Sequence, residues 1–270
     1  MEENKALTKT ILKFISDSDI KLTPAAIANK VYTELSVNKK TTRKTITRLV
    51  SKGELAYTYT YGSSYLEKSF NRPVKISKSV IVKPFNLAYK SEPSDIVINI
   101  FPGISFGSGE HPTTRLSVFA IEYILSKIKI IKDLHNATVL DIGTGSGLLA
   151  ITALMFGLKS GIGVDTDACS RSEAKKNIRI NGFEKKIKII KNLEKMNEKF
   201  SLITANLRYP DIISLYPVIH KCSDSNSAVV ISGLRPEETG AVIDLYTEKY
   251  FKFLLKTTEK KWSCLIFKKI

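Results

Sequence analysis

Three glycines at alternate positions, Gly143, Gly145 and Gly147, follow an apolar run that ends in an acid, in the stretch TVLDIGTGSGLL at residues 138–149. Glycine has no side chain, so backbone N–H groups in such a loop can approach a ligand closely where a strand ends and a helix begins. The spacing D-x-G-x-G-x-G differs from the dinucleotide pattern G-x-G-x-x-G. The stretch therefore predicts a ligand-binding loop, with a tight turn of purely structural role as the alternative.

Asp165 ends the next strand-like run, GIGVD, and can contribute to the same site. A short carboxylate at the tip of a second parallel strand can accept hydrogen bonds from both hydroxyl groups of a ribose. Asp167, two residues later, is better explained as the cap of the following helix. Because Asp165 follows the glycine loop, the pair predicts a nucleoside ligand rather than an isolated surface acid.

The stretch SFGSGEHPTT at residues 105–114 is also rich in glycine, and it contains one of the three histidines. His111 has an ordinary pKa of about 6.5 and could act as a general base. The alternative is that HPTT shapes a backbone turn in which Pro112 and Thr113 start a helix. We favour this second interpretation, and it makes the segment a shaping element near the ligand.

A regular alternation of helices and strands from about residue 112 must position these residues. Such alternation predicts an α/β fold in which a mainly parallel sheet is covered on both faces. The last two strands are joined by the short turn TEKK, so we expect an antiparallel hairpin at the sheet's edge. The predicted strands are TVLDI, GIGVD, KIKII, SLITAN, AVVIS, FKFLLKT and WSCLIFK, and helices are predicted to start near Pro112, Ser146, Asp167, Asp211 and Pro236.

The first 70 residues have a different pattern, with three predicted helices and a hairpin. The helices cover residues 7–16, residues 22–35 with Thr23 as cap and Pro24 in the first turn, and a stretch from Thr41 or Thr42 to Gly53. This order resembles a winged helix-turn-helix domain. The third helix would be the recognition helix, and it carries four basic residues and no acid. They are Arg43, Lys44, Arg48 and Lys52.

The basic third helix suggests binding to nucleic acid or nucleoprotein, whose phosphates attract such side chains. The alternative is a protein-binding or dimerising domain with a solvated basic face. The chain's net charge of +16 agrees with either reading, or with an organism whose proteins are rich in lysine. We predict three parts: residues 1–70 as the winged-helix-like domain, 71–101 as linking strands, and 102–270 as the main domain.

Composition restricts the class of protein. The three cysteines, Cys169, Cys222 and Cys264, are far apart and odd in number, so we expect no disulfide framework and no zinc site. The histidines are scattered too, and no metal site is predicted. No run of about 18 apolar residues is present, which argues against a membrane span. The N-terminus lacks the apolar core of a secretory signal, and a cytoplasmic location is therefore expected.

In these stretches the chain resembles the seven-stranded, Rossmann-like methyltransferases that use S-adenosylmethionine. More narrowly, it is similar to the family that methylates the large-subunit ribosomal protein L11 (PrmA), over roughly residues 76–270. The most specific part is PGISFGSGEHPTT at 102–114, which is close to that family's PG-x-x-FGTG-x-HPTT. The stretches VLDIGTGSGLLAITALMFG at 139–157, TANL at 204–207 and KWSCLIFKK near the end add to it. The resemblance implies S-adenosylmethionine as cofactor and methyl transfer as the reaction.

The resemblance also implies roles for the matched positions. The glycine loop would border the methionine part of the cofactor, Asp165 would hold the ribose, and Asn192 would lie where an adenine contact is common. Segments 106–107 and 111–114 would close over the cofactor, and Asn206 would lie beside the methyl group. The candidate catalytic residues are thus Phe106, His111, Thr113 and Asn206. The candidate cofactor-binding residues are Phe106, Gly107, Thr113, Asp141, Gly143, Thr144, Gly145, Gly147, Asp165, Asn192 and Asn206.

The N-terminal part departs from that family, whose members carry a different α/β module there. Three functions therefore stay open: N-methylation of a ribosomal or other nucleic-acid-associated protein, methylation of RNA or DNA docked through the winged helix, and regulation by a nucleic-acid binder that senses S-adenosylmethionine. Asn206 is followed by Leu207, not by the Pro-Pro-aromatic sequence typical of nucleic-acid and glutamine methyltransferases. This favours the first function.

Overall fold

A computed structural model describes residues 2–18, 20–60, 63–69, 72–101, 111–194 and 196–270. The chain divides into two units, Met1–Arg72 and Pro73–Ile270. No helix in the described ranges is both long and apolar enough to cross a membrane.

The first unit has three helices followed by a two-stranded antiparallel sheet, in the order predicted for this part of the chain. The winged-helix resemblance itself stays a prediction. Its elements are α1 (Glu2–Asp17), α2 (Pro24–Leu35), α3 (Lys39–Ser51), β1 (Leu55–Thr60) and β2 (Ser63–Lys68). Its core consists of Leu7, Ile11, Phe14, Ile27, Val31, Ile46, Leu49, Leu55 and Leu66.

Local side-chain caps determine where two of these helices begin. Thr23 accepts a hydrogen bond from the Ala26 N–H at 3.1 Å, as its predicted role as cap requires. Asn38 accepts one from the Lys40 N–H at 2.8 Å. The third helix therefore begins at Lys39, and the predicted start at Thr41 or Thr42 was wrong by two or three residues because the Asn38 cap was overlooked.

The second unit is built on a seven-stranded sheet, and all seven predicted strands are present. The strand order is β11-β12-β10-β9-β6-β7-β8. The pairs among β6 to β10 are parallel, whereas β12 is antiparallel to both of its neighbours. The strands are β6 (Thr138–Ile142), β7 (Ser160–Val164), β8 (Ile187–Ile190), β9 (Phe200–Asn206), β10 (Ser223–Leu234), β11 (Phe251–Glu259) and β12 (Trp262–Lys269).

Helices cover both faces of this sheet, as the alternation of helix and strand predicts. The side chains of α4, α5 and α6 pack in one apolar cluster, and those of α7 and α8 pack in a second cluster on the other face. The helices are α4 (Pro112–Glu122), continued by a π-helical turn (Tyr123–Ile128), α5 (Leu148–Met155), α6 (Ala168–Ile180), α7 (Tyr209–Cys222) and α8 (Thr239–Thr247), which follows a short 3-10 turn (Pro236–Glu238).

A three-stranded sheet precedes the main sheet, in the segment predicted as linking strands. It consists of β3 (Val74–Lys75), β4 (Val80–Pro84) and β5 (Ile96–Ile100). Its buried side chains belong to the same apolar cluster as α4 to α6. Two asparagines of α6 also hold β5, because Asn181 Oδ1 accepts the Asn99 N–H at 2.9 Å and Asn177 Oδ1 accepts the Phe101 N–H at 2.9 Å.

Candidate functional site

A cavity of about 910 Å³ lies where the carboxyl ends of strands β6 to β10 meet. The strand order reverses between β6 and β9, and such a switch point is where α/β sheets bind ligands. The loops after each strand contribute to the wall, together with the start of α4, one side of α7 and Trp262. A cavity of this size can enclose a ligand as large as a nucleoside derivative.

The glycine loop after β6 adopts backbone angles that explain its composition. Gly143, Gly145 and Gly147 have φ values of +70°, +52° and +82°, in the left-handed region that favours glycine. The Gly143 and Thr144 N–H groups both donate to the Val164 carbonyl, at 2.8 and 2.9 Å. Gly143 and Gly145 line the cavity. A Cβ on Gly147 would lie 3.3 Å from the Ala174 side chain, so Gly147 serves the packing of α5 on α6.

Asp141 supports this loop from behind. It is fully buried, and its two carboxylate oxygens accept hydrogen bonds from Thr144 Oγ1 at 2.6 Å and Thr204 Oγ1 at 2.7 Å. Burial raises the pKa of this carboxyl group, and the two threonine hydrogen bonds oppose that shift. Asp141, Thr144 and Gly147 do not belong to the cavity wall. They support the loop that lines the cavity, and their predicted contact with the cofactor stays a prediction.

Asp165 lies on the cavity wall at the end of β7. Its Oδ2 accepts the Gly145 N–H at 2.9 Å and its Oδ1 accepts the Asp167 N–H at 2.9 Å. Each oxygen has two lone pairs, so one acceptor position per oxygen stays available for a ligand hydroxyl. Asn192 lines the wall after the neighbouring strand β8. These residues fit a nucleoside cofactor. A ribose diol can reach Asp165, and the glycine loop beside it has no side chains that would keep a ligand away from the backbone.

Asn206 ends strand β9, the parallel neighbour of β6, and lines the cavity beside the glycine loop. The next residue, Leu207, donates its N–H to the Ser232 carbonyl at 3.1 Å. Its carbonyl oxygen occupies the space where a Cβ on Gly233 would lie, and Gly233 has a φ of +89°. The end of β9 is therefore pressed against the end of β10, which fixes the position of Asn206.

His111 caps the start of α4 and also lines the cavity. Its Nδ1 lies 2.8 Å from Thr113 Oγ1 and accepts the Thr113 N–H at 3.4 Å. Burial, followed by the positive charges of Arg115 and Arg235, lowers the pKa of this imidazole. Thr113 also lines the wall, and its carbonyl accepts a hydrogen bond from Ser232 Oγ at 3.1 Å. This geometry favours the helix-shaping interpretation of the HPTT stretch.

Two of the predicted site residues, Phe106 and Gly107, lie outside the described residues. The structure thus brings seven of the predicted positions to one wall. They are His111, Thr113, Gly143, Gly145, Asp165, Asn192 and Asn206.

The prediction missed several residues of the wall. Trp262 begins strand β12, far along the chain from the motifs, and Arg208 follows Leu207. Apolar side chains from the β8–β9 loop and from α7 complete the cavity, among them Leu193, Met196, Leu215 and Val218. A single tryptophan at the start of the last strand is a signal that could have suggested a site residue.

Comparisons with known proteins find the same family by family model and by sequence similarity. A family model described as ribosomal protein L11 methyltransferase (PrmA) matches residues 63–270. A protein of that name from Clostridium perfringens is 31% identical over 202 residues, which cover 74% of this chain and 62% of the relative. One from Geobacter metallireducens is 31% identical over 195 residues, covering 72% and 62%.

A comparison with solved structures also finds a member of this family. The crystal structure of a ribosomal protein L11 methylase from Lactobacillus delbrueckii subsp. bulgaricus superposes with a TM-score of 0.64 and is 27% identical in sequence. The match covers 74% of this chain and 99% of that one. The chain thus spans about 62% of the length of the curated relatives it matches, and the matched residues leave out most of the first unit.

Proposed function

The chain belongs to the ribosomal protein L11 methyltransferase (PrmA) family, and on that premise we propose that it transfers the methyl group of S-adenosylmethionine to a nitrogen atom of a protein substrate such as ribosomal protein L11. The observation that carries the proposal is the shared cavity of the glycine loop, Asp165 and Asn206. Such a transfer needs residues that bind the nucleoside part of the cofactor and a polar amide beside the methyl group.

S-adenosylmethionine, when bound, supplies a methyl carbon that its sulfonium already activates. The chain then has to position the reactants and exclude water. Asp165 holds the ribose, since its oxygens are oriented by the Gly145 and Asp167 N–H groups. Asn192 lies where the adenine would be contacted, and the loop at Gly143 and Gly145 accommodates the methionine part.

The acceptor nitrogen has to reach the methyl carbon as a neutral amine. A free lysine has a pKa of about 10.4, and apolar surroundings lower it. The Asn206 side chain can accept a hydrogen bond from the amine and thereby direct its lone pair. Thr113 and His111 shape the same end of the cavity, and Phe106 and Gly107 are proposed to cover the cofactor.

The proposal is tested with tritiated S-adenosylmethionine and a ribosome-containing cell extract. The labelled products are divided and treated with nuclease or with protease. We expect label that survives nuclease and is lost to protease, and none with the Asp165→Ala variant. Label that is lost to nuclease would instead indicate a nucleic-acid substrate. Because the proposed substrate is a ribosomal protein, the proposal includes a cytoplasmic location.

A second candidate function concerns the first unit, which we propose binds nucleic acid or nucleoprotein and so brings the substrate near. The support is the division of α3 into two faces. Thr42, Thr45, Ile46 and Leu49 are buried. The opposite face is exposed and basic, with Lys39, Lys40, Arg43 and Lys44, and Lys52 follows the helix end. Arg48 differs from these, because its guanidinium donates to Thr8 Oγ1 of α1 at 3.3 Å.

Binding of labelled DNA and RNA duplexes of one sequence, measured across a range of salt concentrations, tests this candidate. The double variant Arg43→Gln/Lys44→Gln should lower the salt-dependence slope by about 2, since each lost phosphate contact removes roughly 0.9. The matched control is Lys9→Gln/Lys13→Gln, which removes two exposed positive charges from α1. Equal effects of the two double variants would contradict a specific role for α3.

A further inference from the structure

Trp262 lies near the proposed site of methyl transfer, here called the transfer end of the cavity, which Asn206 and His111 also line. Two arginines lie beside its ring. The Cζ atom of Arg235 lies 3.8 Å from the ring centroid and that of Arg208 lies 5.7 Å from it. The His111 ring meets the indole edge-on, with centroids 5.0 Å apart. Trp262, Arg208, His111 and Asn206 all line the cavity. The two guanidinium groups therefore lie close to the end of the cavity that Asn206 and His111 line.

The ends of two neighbouring strands bring these arginines together. Arg208 follows β9 and Arg235 follows β10, and these strands are parallel neighbours. The Leu207 carbonyl packs against Gly233 in the space a side chain would fill. Two hydrogen bonds also fix the position of Arg235. Its backbone N–H donates to Glu238 Oε2 at 2.6 Å, and its Nη1 donates to the Lys261 carbonyl at 3.2 Å.

Two carboxylates beside this pair of arginines accept hydrogen bonds from other donors. The nearby Arg115 forms an ion pair with Glu259, and that carboxylate is thus occupied. Glu238 accepts from the backbone of Arg235, not from its guanidinium. No ion pair among the described residues involves Arg208 or Arg235. Arg208 lines the cavity, and Arg235 packs on Trp262, which also lines it, so both guanidinium groups lie beside this end of the cavity without an ion-pair partner among the described residues.

Stacking leaves the hydrogen-bonding edge of a guanidinium accessible. An arginine on an aromatic ring uses its flat face, while its five N–H donors lie in the plane of the group. In Arg235 one of these nitrogens donates to the Lys261 carbonyl. The others can donate to a carboxylate in the paired geometry that arginine favours.

We propose that Arg208 and Arg235, held on Trp262, form a subsite for a carboxylate of the acceptor chain, supplied by an aspartate or glutamate next to the methylated residue. This deepens the proposed function and rests on it. The subsite selects acceptors with acidic neighbours.

The test compares two capped peptides, Gly-Asp-Lys-Asp-Gly and Gly-Asn-Lys-Asn-Gly, bound to the full chain saturated with S-adenosylhomocysteine. Trp262 is the only tryptophan, so its fluorescence reports binding at this subsite without any turnover. We expect the acidic peptide to bind about tenfold more tightly, the size of one charged hydrogen bond. In Arg235→Met the preference should fall below about twofold.

Lys252→Met is the matched control, since it removes an exposed positive charge at the far end of β11 and should keep the full preference. Calorimetry of S-adenosylhomocysteine on each sample tests the fold and the proposed function separately from the subsite. If Arg235→Met fails to bind that ligand, Arg208→Met carries the test. Equal binding of the two peptides by the unaltered chain, no binding of either, or an undiminished preference in the arginine variant would each overturn the proposal.

Discussion

The Oδ2 atom of Asp165 accepts a hydrogen bond from the Gly145 N–H at 2.9 Å, which joins the acid after β7 to the glycine loop after β6. This hydrogen bond thus connects two separate sequence motifs on the wall of the cavity. Because the carboxylate is oriented before any ligand binds, binding of the ribose costs little conformational entropy at this side chain.

Asp165→Ala is expected to weaken S-adenosylhomocysteine binding by roughly 100-fold, because two hydrogen bonds to a charged group are lost. Calorimetry measures this directly. The control is Asp167→Ala, since Asp167 caps α6 by accepting the Ser170 N–H at 2.6 Å. The control should lose about 1 kcal/mol of stability and keep its affinity. Unchanged affinity in Asp165→Ala would remove the ribose assignment.

Thr204→Val should lower the free energy of unfolding by about 1–3 kcal/mol, because Asp141 Oδ1 is fully buried and loses the hydroxyl that donates to it. Denaturant titration gives the value. Thr152→Val makes the same change at another buried threonine, whose hydroxyl donates to the Leu148 carbonyl within α5. The Leu148 carbonyl keeps its backbone hydrogen bond within the helix, so Thr152→Val should lower the free energy of unfolding less than Thr204→Val does. Equal losses would argue against a special role for the Asp141 network.

Gly233→Ala should disrupt the end of β9, because the new Cβ would overlap the Leu207 carbonyl and the φ of +89° is unfavourable for alanine. We expect a loss of about 2 kcal/mol or more in stability and a displaced Asn206, with loss of methyl transfer. Gly240→Ala is the counterpart in α8, where no atom lies within 4 Å of the added Cβ. It should stabilise the chain by up to about 1 kcal/mol. A neutral Gly233→Ala would show that this contact is not needed.

His111 should titrate in NMR spectra with a midpoint below about 6.5, since burial and the Arg115 and Arg235 charges lower its pKa. The unfolded chain then takes up the proton at a higher pH than the folded chain does. The contribution to stability is therefore fully present above about pH 6.5 and is lost as the pH falls through the folded pKa. His111→Asn, which keeps a capping side chain, should remove this part of the pH dependence. A midpoint at or above 6.5 would contradict the assignment.

Local sequence predicted the strands, most helix starts and the residues at the ends of β6, β7 and β9, because each depends on a short pattern of apolar residues, glycines and caps. The position of Asp141 behind the loop depends on Thr204, which lies on a strand 63 residues later. The grouping of Arg208, Arg235 and Trp262 depends on the order of three strands in the sheet. Such long-range neighbours are not encoded in any one stretch, and these residues were missed for that reason.

The central claim is methyl transfer to nitrogen on a protein, and one measurement addresses it most directly. The purified chain is incubated with S-adenosylmethionine and purified ribosomal protein L11, and the intact mass and fragments of that protein are then measured. The account predicts a mass increase by whole methyl groups, located on amine nitrogens and absent with Asp165→Ala. An unmodified protein, in a reaction where the same enzyme labels ribosomal RNA, would contradict it.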